Sequence, residues 1–221
     1  MQYIVNHIPK STPHNRRPGI VMIPETLTIH STANLTSTAK NERDWLTNPK
    51  NNRQASWHIV VDEREAIEAI PLREIAWHAG DGGGPGNWKS IGTEICESGN
   101  RAKTLQNAVE LVADLLKQRG WGVDRLRRHF DWSGKDCPRI LRENNWAGWE
   151  KFKQDVQKEV LKMTTPTQPT VPAGMLHQPD AWAVKARDWA VSVGITDGTR
   201  PRDSVTRQEA WSMLMRLAER K

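Results

Sequence analysis

The stretch "SIGTEICESGNRAKTLQNAVELVADLLKQRG", residues 90–120, changes its period half-way along. Ser90 to Ser98 is a short apolar run rich in β-branched residues, the pattern of a strand. Beyond it, Leu105, Val109, Val112, Leu115 and Leu116 recur at helical spacing, and Gly120 closes the pattern as a helix C-terminus does. A strand that feeds a helix sets the expectation for its surroundings. "TLTIH" (26–30) and "SWHIVVDE" (56–63) read as two more strands. A second helix is expected from about Ile140 to Lys162, with Trp146, Trp149, Phe152, Val156 and Val160 on one stripe. Strands and helices alternate, so the fold class is α/β, a mixed central sheet flanked by helices.

The whole chain sets wider bounds. Its 221 residues suffice for a sizeable core and a smaller second unit. A formal charge of +6 and an isoelectric point near 9.5 favour an anionic partner, which charge alone leaves open among nucleic acid, a membrane surface and an acidic wall polymer. Eleven tryptophans stand against one tyrosine and two phenylalanines, a bias that suits stacking on sugars or bases as well as packing. Two cysteines, Cys96 and Cys137, are too few for a disulfide scaffold, and free thiols are the favoured reading. The start, "MQYIVNHIPKSTPHNRRPG", has no basic segment followed by an apolar run, so no signal peptide is read and synthesis in the cytoplasm is expected. No window approaches the roughly 18 apolar residues of a membrane span. A nucleic-acid role lacks a basic stripe interleaved with aromatics or any known motif.

"MTTPTQPTVPAGM" (163–175) has three prolines, four threonines and no charge, the composition of an extended linker. It divides the chain into a unit of residues 1–162 and a small all-α unit of residues 176–221.

Potential chemistry concentrates in "RRHFDWSGKDCP" (127–138), which crowds His129, Lys135 and Cys137 together. A catalytic zinc takes three protein ligands and leaves a fourth position for water. His129 and Cys137 lie eight apart across breakers at Ser133, Gly134 and Pro138, the spacing of a strand end and a returning loop. His30, at the end of "TLTIH", is the best third candidate because a strand end can aim a side chain into a cleft. Taken singly, each of these residues also reads as an ordinary core or surface residue. A cysteine hydrolase with Cys137 as nucleophile and His129 as base uses the same residue types.

"TIHSTAN", "ASWHIVVDE", "IAWHAGDG", "SIGTEICES" and "RRHFDWSGKDCP", in this order, resemble the zinc-dependent N-acetylmuramoyl-L-alanine amidases, whose fold is shared with peptidoglycan-recognition proteins. The resemblance covers about residues 20–160. It implies a surface groove with one Zn²⁺ held by His30, His129 and Cys137, Glu94 as general base and Lys135 as oxyanion stabiliser. It further implies cleavage between N-acetylmuramic acid and L-alanine in bacterial peptidoglycan, in the manner of a phage endolysin or an autolysin that reaches the wall after holin-type release or lysis. Some relatives carry tyrosine where Trp57 stands, and an indole cannot act as an acid, so proton transfer shifts to Glu94. Trp57, His58 and His78 are expected to contact substrate or support the groove. Alternation from Glu94 places Glu97 on the opposite, solvated face and Cys96 on the same face, as a small core residue. A non-catalytic peptidoglycan-binding protein of this fold is the alternative, against which a ligand cysteine argues.

The tail "WAVKARDWAVSVGITDGTRPRDSVTRQEAWSMLMRLAER" resembles a single S-layer homology motif, with Asp203 and Thr206 in a cap region and Glu209 in the first turn of the second helix. Such modules bind anionic secondary cell-wall polymers, for which Arg200, Arg202 and Arg207 are the candidate contacts. One copy leaves the oligomeric state open.

Overall fold

Six strands form one sheet: β1 (Gln2–Val5), β2 (Thr26–Ser31), β3 (Ile59–Val61), β4 (Glu65–Glu68), β5 (Ser90–Ile95) and β6 (Leu126–Arg128). The structure, a computed structural model, describes residues 1–164, 183–196 and 207–218. The spatial order is β1-β4-β3-β5-β2-β6, and every neighbouring pair is parallel except β3 with β4, which are antiparallel. Among the described residues seven helices accompany the strands: α1 (Ala39–Trp45), α2 (Pro85–Lys89), α3 (Arg101–Arg119), α4 (Phe130–Ser133), α5 (Glu143–Thr164), α6 (Val184–Ser192) and α7 (Arg207–Ala218). The expected mixed sheet flanked by helices is therefore present.

The chain divides into two compact units, Met1–Thr165 and Pro166–Lys221. In the first, strand alternation gives the sheet two different faces. Leu27, Ile29, Ile59, Val61, Ile91, Ile95 and Leu126 belong to one apolar cluster, in which α3 supplies Leu111, Val112, Leu115 and Leu116 and α5 supplies Trp149, Phe152 and Val156. Thr28, His30, Gly92 and Glu94 occupy the intervening positions and so belong to the opposite face. That face is partly covered by α1, where Ala39 and Leu46 join Trp57, Val60, Ile67 and Cys96 in a second apolar cluster. Functional side chains thus arise where the second face is left open beside α1.

Local chemistry sets the helix ends. The Asn100 side chain accepts from the Lys103 amide at the start of α3, and Gly120, at φ 65°, supplies the left-handed residue that ends it. A capping box between Thr38 and Asn41 starts α1.

Several expected elements have different extents. The strand read over 56–63 is paired only over Ile59–Val61, and the one read over 90–98 ends at Ile95. The helix expected from Ile140 is interrupted: Arg139–Leu141 is a 3-10 turn, and Asn144, Asn145 and Trp146 have φ of 48°, 54° and 73°. Asparagine tolerates that left-handed region, and Gly148 lets the chain pass the Leu141 backbone, which an added Cβ would approach to 2.9 Å. Both cysteines are free and buried.

In the second unit, Ile195 is buried and its carbonyl accepts from Arg216 Nη1 at 3.1 Å. Arg200, Arg202, Asp203 and Thr206 lie outside the described residues, as do the side chains of Arg207 and Glu209 and nearly all of the expected linker.

Candidate active site

β2 and β5 run parallel in a register that sets His30 beside Glu94. The neighbouring β6 ends at Arg128, so His129 follows directly where the chain leaves the sheet, and its amide donates to the Ile29 carbonyl at 3.3 Å. Cys137 returns on the far side of α4, where its carbonyl accepts from the Phe130 amide at 3.0 Å. The sequence-selected residues His30, His129 and Cys137 therefore converge, with one possible ligand atom from each lying within 4.8 Å of the others. His30 Nδ1 is 3.0 Å from His129 Nδ1 and 3.8 Å from Cys137 Sγ. The Ser31 amide donates to that sulfur at 3.4 Å, a contact that favours a thiolate.

All three side chains are buried; His129 and Cys137 line a groove of about 1060 Å³, and His30 lies against them. Burial keeps the histidines neutral: His30 falls well below its usual range, aided by His78 and His129, and His129 falls to about 4, aided by Lys135. Burial, with the Glu94 charge, pushes the Cys137 thiol up to about 12. Neutral imidazoles with one sulfur, all facing a common point, form a borderline-soft donor set suited to zinc.

Glu94 stands beside this corner, with Oε1 3.9 Å from His30 Nδ1 and Oε2 buried without a hydrogen-bond partner. Burial is the main reason its carboxyl is held up at about 8; Glu42 adds to the rise and Lys135 opposes it. Lys135 is exposed on the groove wall, and its charge acts on both histidines, the glutamate and the thiol. Trp57 also lines the groove, stacked on Trp45 with ring centroids 5.7 Å apart.

The other two expected contacts differ from each other. His78 lines the groove, but its ring is hydrogen-bonded to His30. His58 is fully enclosed: Nε2 donates to the Glu74 carbonyl at 2.8 Å and Nδ1 accepts from the Gly92 amide at 2.9 Å. It supports the sheet and offers no surface to a substrate.

Glu97 corrects another expectation. It is 6% exposed rather than solvated, because β5 ends at Ile95 and strand alternation no longer governs its direction. Its carboxylate accepts from the Ala33 amide at 2.9 Å and from Arg139 Nε and Nη2 at 3.0 and 2.7 Å. Ala33 has φ 53°, so Glu97 fastens a strained turn just after His30 to a residue two beyond Cys137. The sequence signal for this clamp was slight, an unexplained acid after "EIC" and a base after "CP".

The sequence profile described as N-acetylmuramoyl-L-alanine amidase matches residues 21–140. The chain belongs to this amidase family. It is 47% identical over 145 residues to the N-acetylmuramoyl-L-alanine amidase XlyB of Bacillus subtilis (strain 168), covering 63% of this chain and 44% of that protein. It has the same identity over 145 residues with CwlA of that strain, covering 63% of this chain and 51% of that protein. The chain thus spans about half the length of these curated relatives. The solved catalytic domain of XlyA shares 39% identity at a TM-score of 0.65, covering 71% of this chain and 99% of that domain. The profile match lies wholly within the first unit, where the groove also lies.

Proposed function

We propose that this chain is a zinc-dependent N-acetylmuramoyl-L-alanine amidase that hydrolyses the amide between the lactyl group of N-acetylmuramic acid and L-alanine in peptidoglycan. The observation that carries this reading is the meeting of His30, His129 and Cys137 beside the groove, with Glu94 next to them. An amide is a poor electrophile and an amine a poor leaving group, so the site must activate water, stabilise an oxyanion and protonate nitrogen. A bound zinc ion would acidify water and polarise the carbonyl.

The chain's own groups do the rest. His30, His129 and Cys137 are the residues that would hold the ion. Glu94, with Oε2 uncommitted, accepts the proton of the attacking water and returns it to the departing amide nitrogen. A carboxyl held up at about 8 in the absence of a cation is suited to both directions of transfer, since the approach of positive charge lowers it. Lys135 reaches in from the groove wall to the developing oxyanion, where one donor is worth about 3–4 kcal/mol. Trp57 and Trp45 present a wall on which a sugar or peptide can pack.

The cysteine-nucleophile reading is disfavoured by the same geometry. Activated thiols have depressed pKa values and a hydrogen-bonded base, whereas burial raises Cys137 to about 12 and its sulfur stands 3.8 Å from His30 Nδ1.

Acting on the wall as an endolysin or autolysin requires release from the cytoplasm by a holin or by lysis, and we propose that route. No described helix is long and apolar enough to cross a membrane. The second unit is assigned, as part of the same proposal, to an S-layer-homology-like module that binds an anionic secondary wall polymer.

The test is metal content measured beside activity on a soluble muramyl peptide. Wild-type protein should hold one zinc per chain. His30→Ala, His129→Ala and Cys137→Ser should lose zinc and activity together, and full activity of Cys137→Ser after exhaustive chelation would overturn the assignment.

A further inference from the structure

His78 is buried, belongs to none of the three metal-ligand positions, and sits at the centre of an oriented hydrogen-bond chain. Its Nε2 lies 3.0 Å from the Ser90 carbonyl oxygen. A carbonyl can only accept, so the proton of the neutral ring is on Nε2. Nδ1 of His78 is then a bare acceptor, and the group facing it at 3.1 Å is His30 Nε2. His30 must donate there. A neutral imidazole carries one N–H, so His30 Nδ1 holds a lone pair, pointing to where His129 Nδ1 and Cys137 Sγ converge.

We propose that His78 is a positioning residue which, oriented by the Ser90 carbonyl, locks His30 in the Nε2–H tautomer and so presents His30 Nδ1 as a ready metal ligand.

The surroundings are built to hold that ring still. The amides of His78 and Ala79 both donate to Asn87 Oδ1 at 2.8 Å. Asn87 is 2% exposed and its own Nδ2 donates to the Gly82 carbonyl at 3.0 Å. The ring lies flush on β5 at Gly92, where a Cβ would come within 2.6 Å of His78 Cγ. Two T-shaped contacts, to His30 and His58 with centroids 5.1 and 5.6 Å away, complete its enclosure. Packing alone would ask for any flat ring; the donor and acceptor order asks for an imidazole. Without His78, His30 Nε2–H faces no acceptor and the ring can turn or exchange tautomers, which withdraws the ligand nitrogen. A metal-bound histidine commonly depends on such an outer partner, whose loss costs about 10- to 100-fold in metal affinity.

The metal half of this inference rests on the zinc reading above; the tautomer half does not. The experiment therefore has two arms on the full chain. Long-range ¹H–¹⁵N spectra of the metal-free protein, with histidine labelled, should show His30 and His78 both protonated on Nε2. Zinc affinity is then measured by competition with a chromophoric chelator for wild type, His78→Phe and His78→Asn. Phe fills the ring's space and offers no acceptor, whereas the Asn side-chain oxygen can take the place of Nδ1. Positioning predicts zinc affinity about 10- to 100-fold weaker in His78→Phe and largely restored in His78→Asn; mere packing predicts the reverse order. A wild-type His30 protonated on Nδ1, or a His78→Phe variant that binds zinc as tightly as wild type, would overturn the proposal. If wild type binds no zinc, the metal assignment fails while the His30 tautomer still decides this inference. If His78→Phe does not fold, the wild-type spectra and the Asn variant decide it.

Discussion

Gly92→Ala is a one-methyl perturbation whose outcome can be worked from the structure. The added Cβ would meet His78 Cγ, Cδ2 and Nδ1 at 2.6, 2.7 and 2.9 Å, where ordinary contact begins near 3.4 Å. These atoms belong to a rigid buried ring, so the conflict cannot be relieved at the free end of a flexible side chain. A retreat of the ring by about 0.8 Å would stretch its contacts to His30 and Ser90, now 3.1 and 3.0 Å, beyond hydrogen-bonding range. Overpacking of this kind costs about 1–3 kcal/mol, and each hydrogen bond lost adds about 1 kcal/mol. Reduced freedom of the unfolded chain offsets less than about 1 kcal/mol. A net loss of about 3 kcal/mol should lower Tm by about 6–12 °C in a unit of this size. Calorimetry on the metal-free protein measures it, with Gly83→Ala as control, because a Cβ there meets nothing nearer than 4.0 Å and should change stability by less than about 0.5 kcal/mol. A Gly92→Ala protein melting within about 2 °C of wild type would show that the ring is not confined as described.

Glu94→Gln should keep the fold and the metal but lose about 10²- to 10⁴-fold in rate, the usual share of acid–base catalysis; zinc content and turnover measured on one sample check it. In the metal-free chain, above about pH 7.5 the four buried histidines are almost wholly neutral folded or unfolded, while Glu94 keeps its proton up to about 8 only when folded. Protons are then bound more by the folded state, so stability should fall as pH rises from about 7.5 to 8.5, and denaturant titrations should show that fall reduced in Glu94→Gln. Arg16 is fully buried with its guanidinium spent on the carbonyls of Leu46, Asn51 and Arg53, so Arg16→Leu should cost at least about 3 kcal/mol by leaving those acceptors unpaired, read as a lower denaturation midpoint. Both apolar clusters described for the first unit lie before residue 165, so a fragment of residues 1–165 should fold and hydrolyse soluble muramyl peptide, whereas on walls bearing the anionic polymer the full chain should work faster at low salt than at high.

The sequence made the central strands, α3 and the ligand set legible because each carries a local signal. Leu27 and Ile29 alternate with Thr28 and His30, Gly120 ends a clear helical period, and His129, Lys135 and Cys137 crowd one short loop. What was missed was short or non-local. β4 had an alternating "EAIE" of only four residues, and β1 is a mostly exposed edge strand at the chain start. α1 is two turns long with charged residues over much of its length, and its apolar contacts with the core come from Ala39 and Trp45, with Leu46 just past its end. Glu97 escaped because alternation was carried past the end of β5. The roles of Arg16, His58 and His78 are not written near them in the chain: their partners stand between 12 and 48 residues away, so only the folded register reveals them.

The most direct measurement is to digest purified sacculi with the metal-free chain, with and without added zinc, and to identify the new ends by mass spectrometry. Hydrolysis at the muramoyl amide predicts a free lactyl carboxylate on N-acetylmuramic acid and a free amino group on L-alanine, appearing with zinc and vanishing with chelator. New glycan reducing ends, cuts between amino acids of the stem peptide, or undiminished cleavage after complete removal of metal would contradict the account.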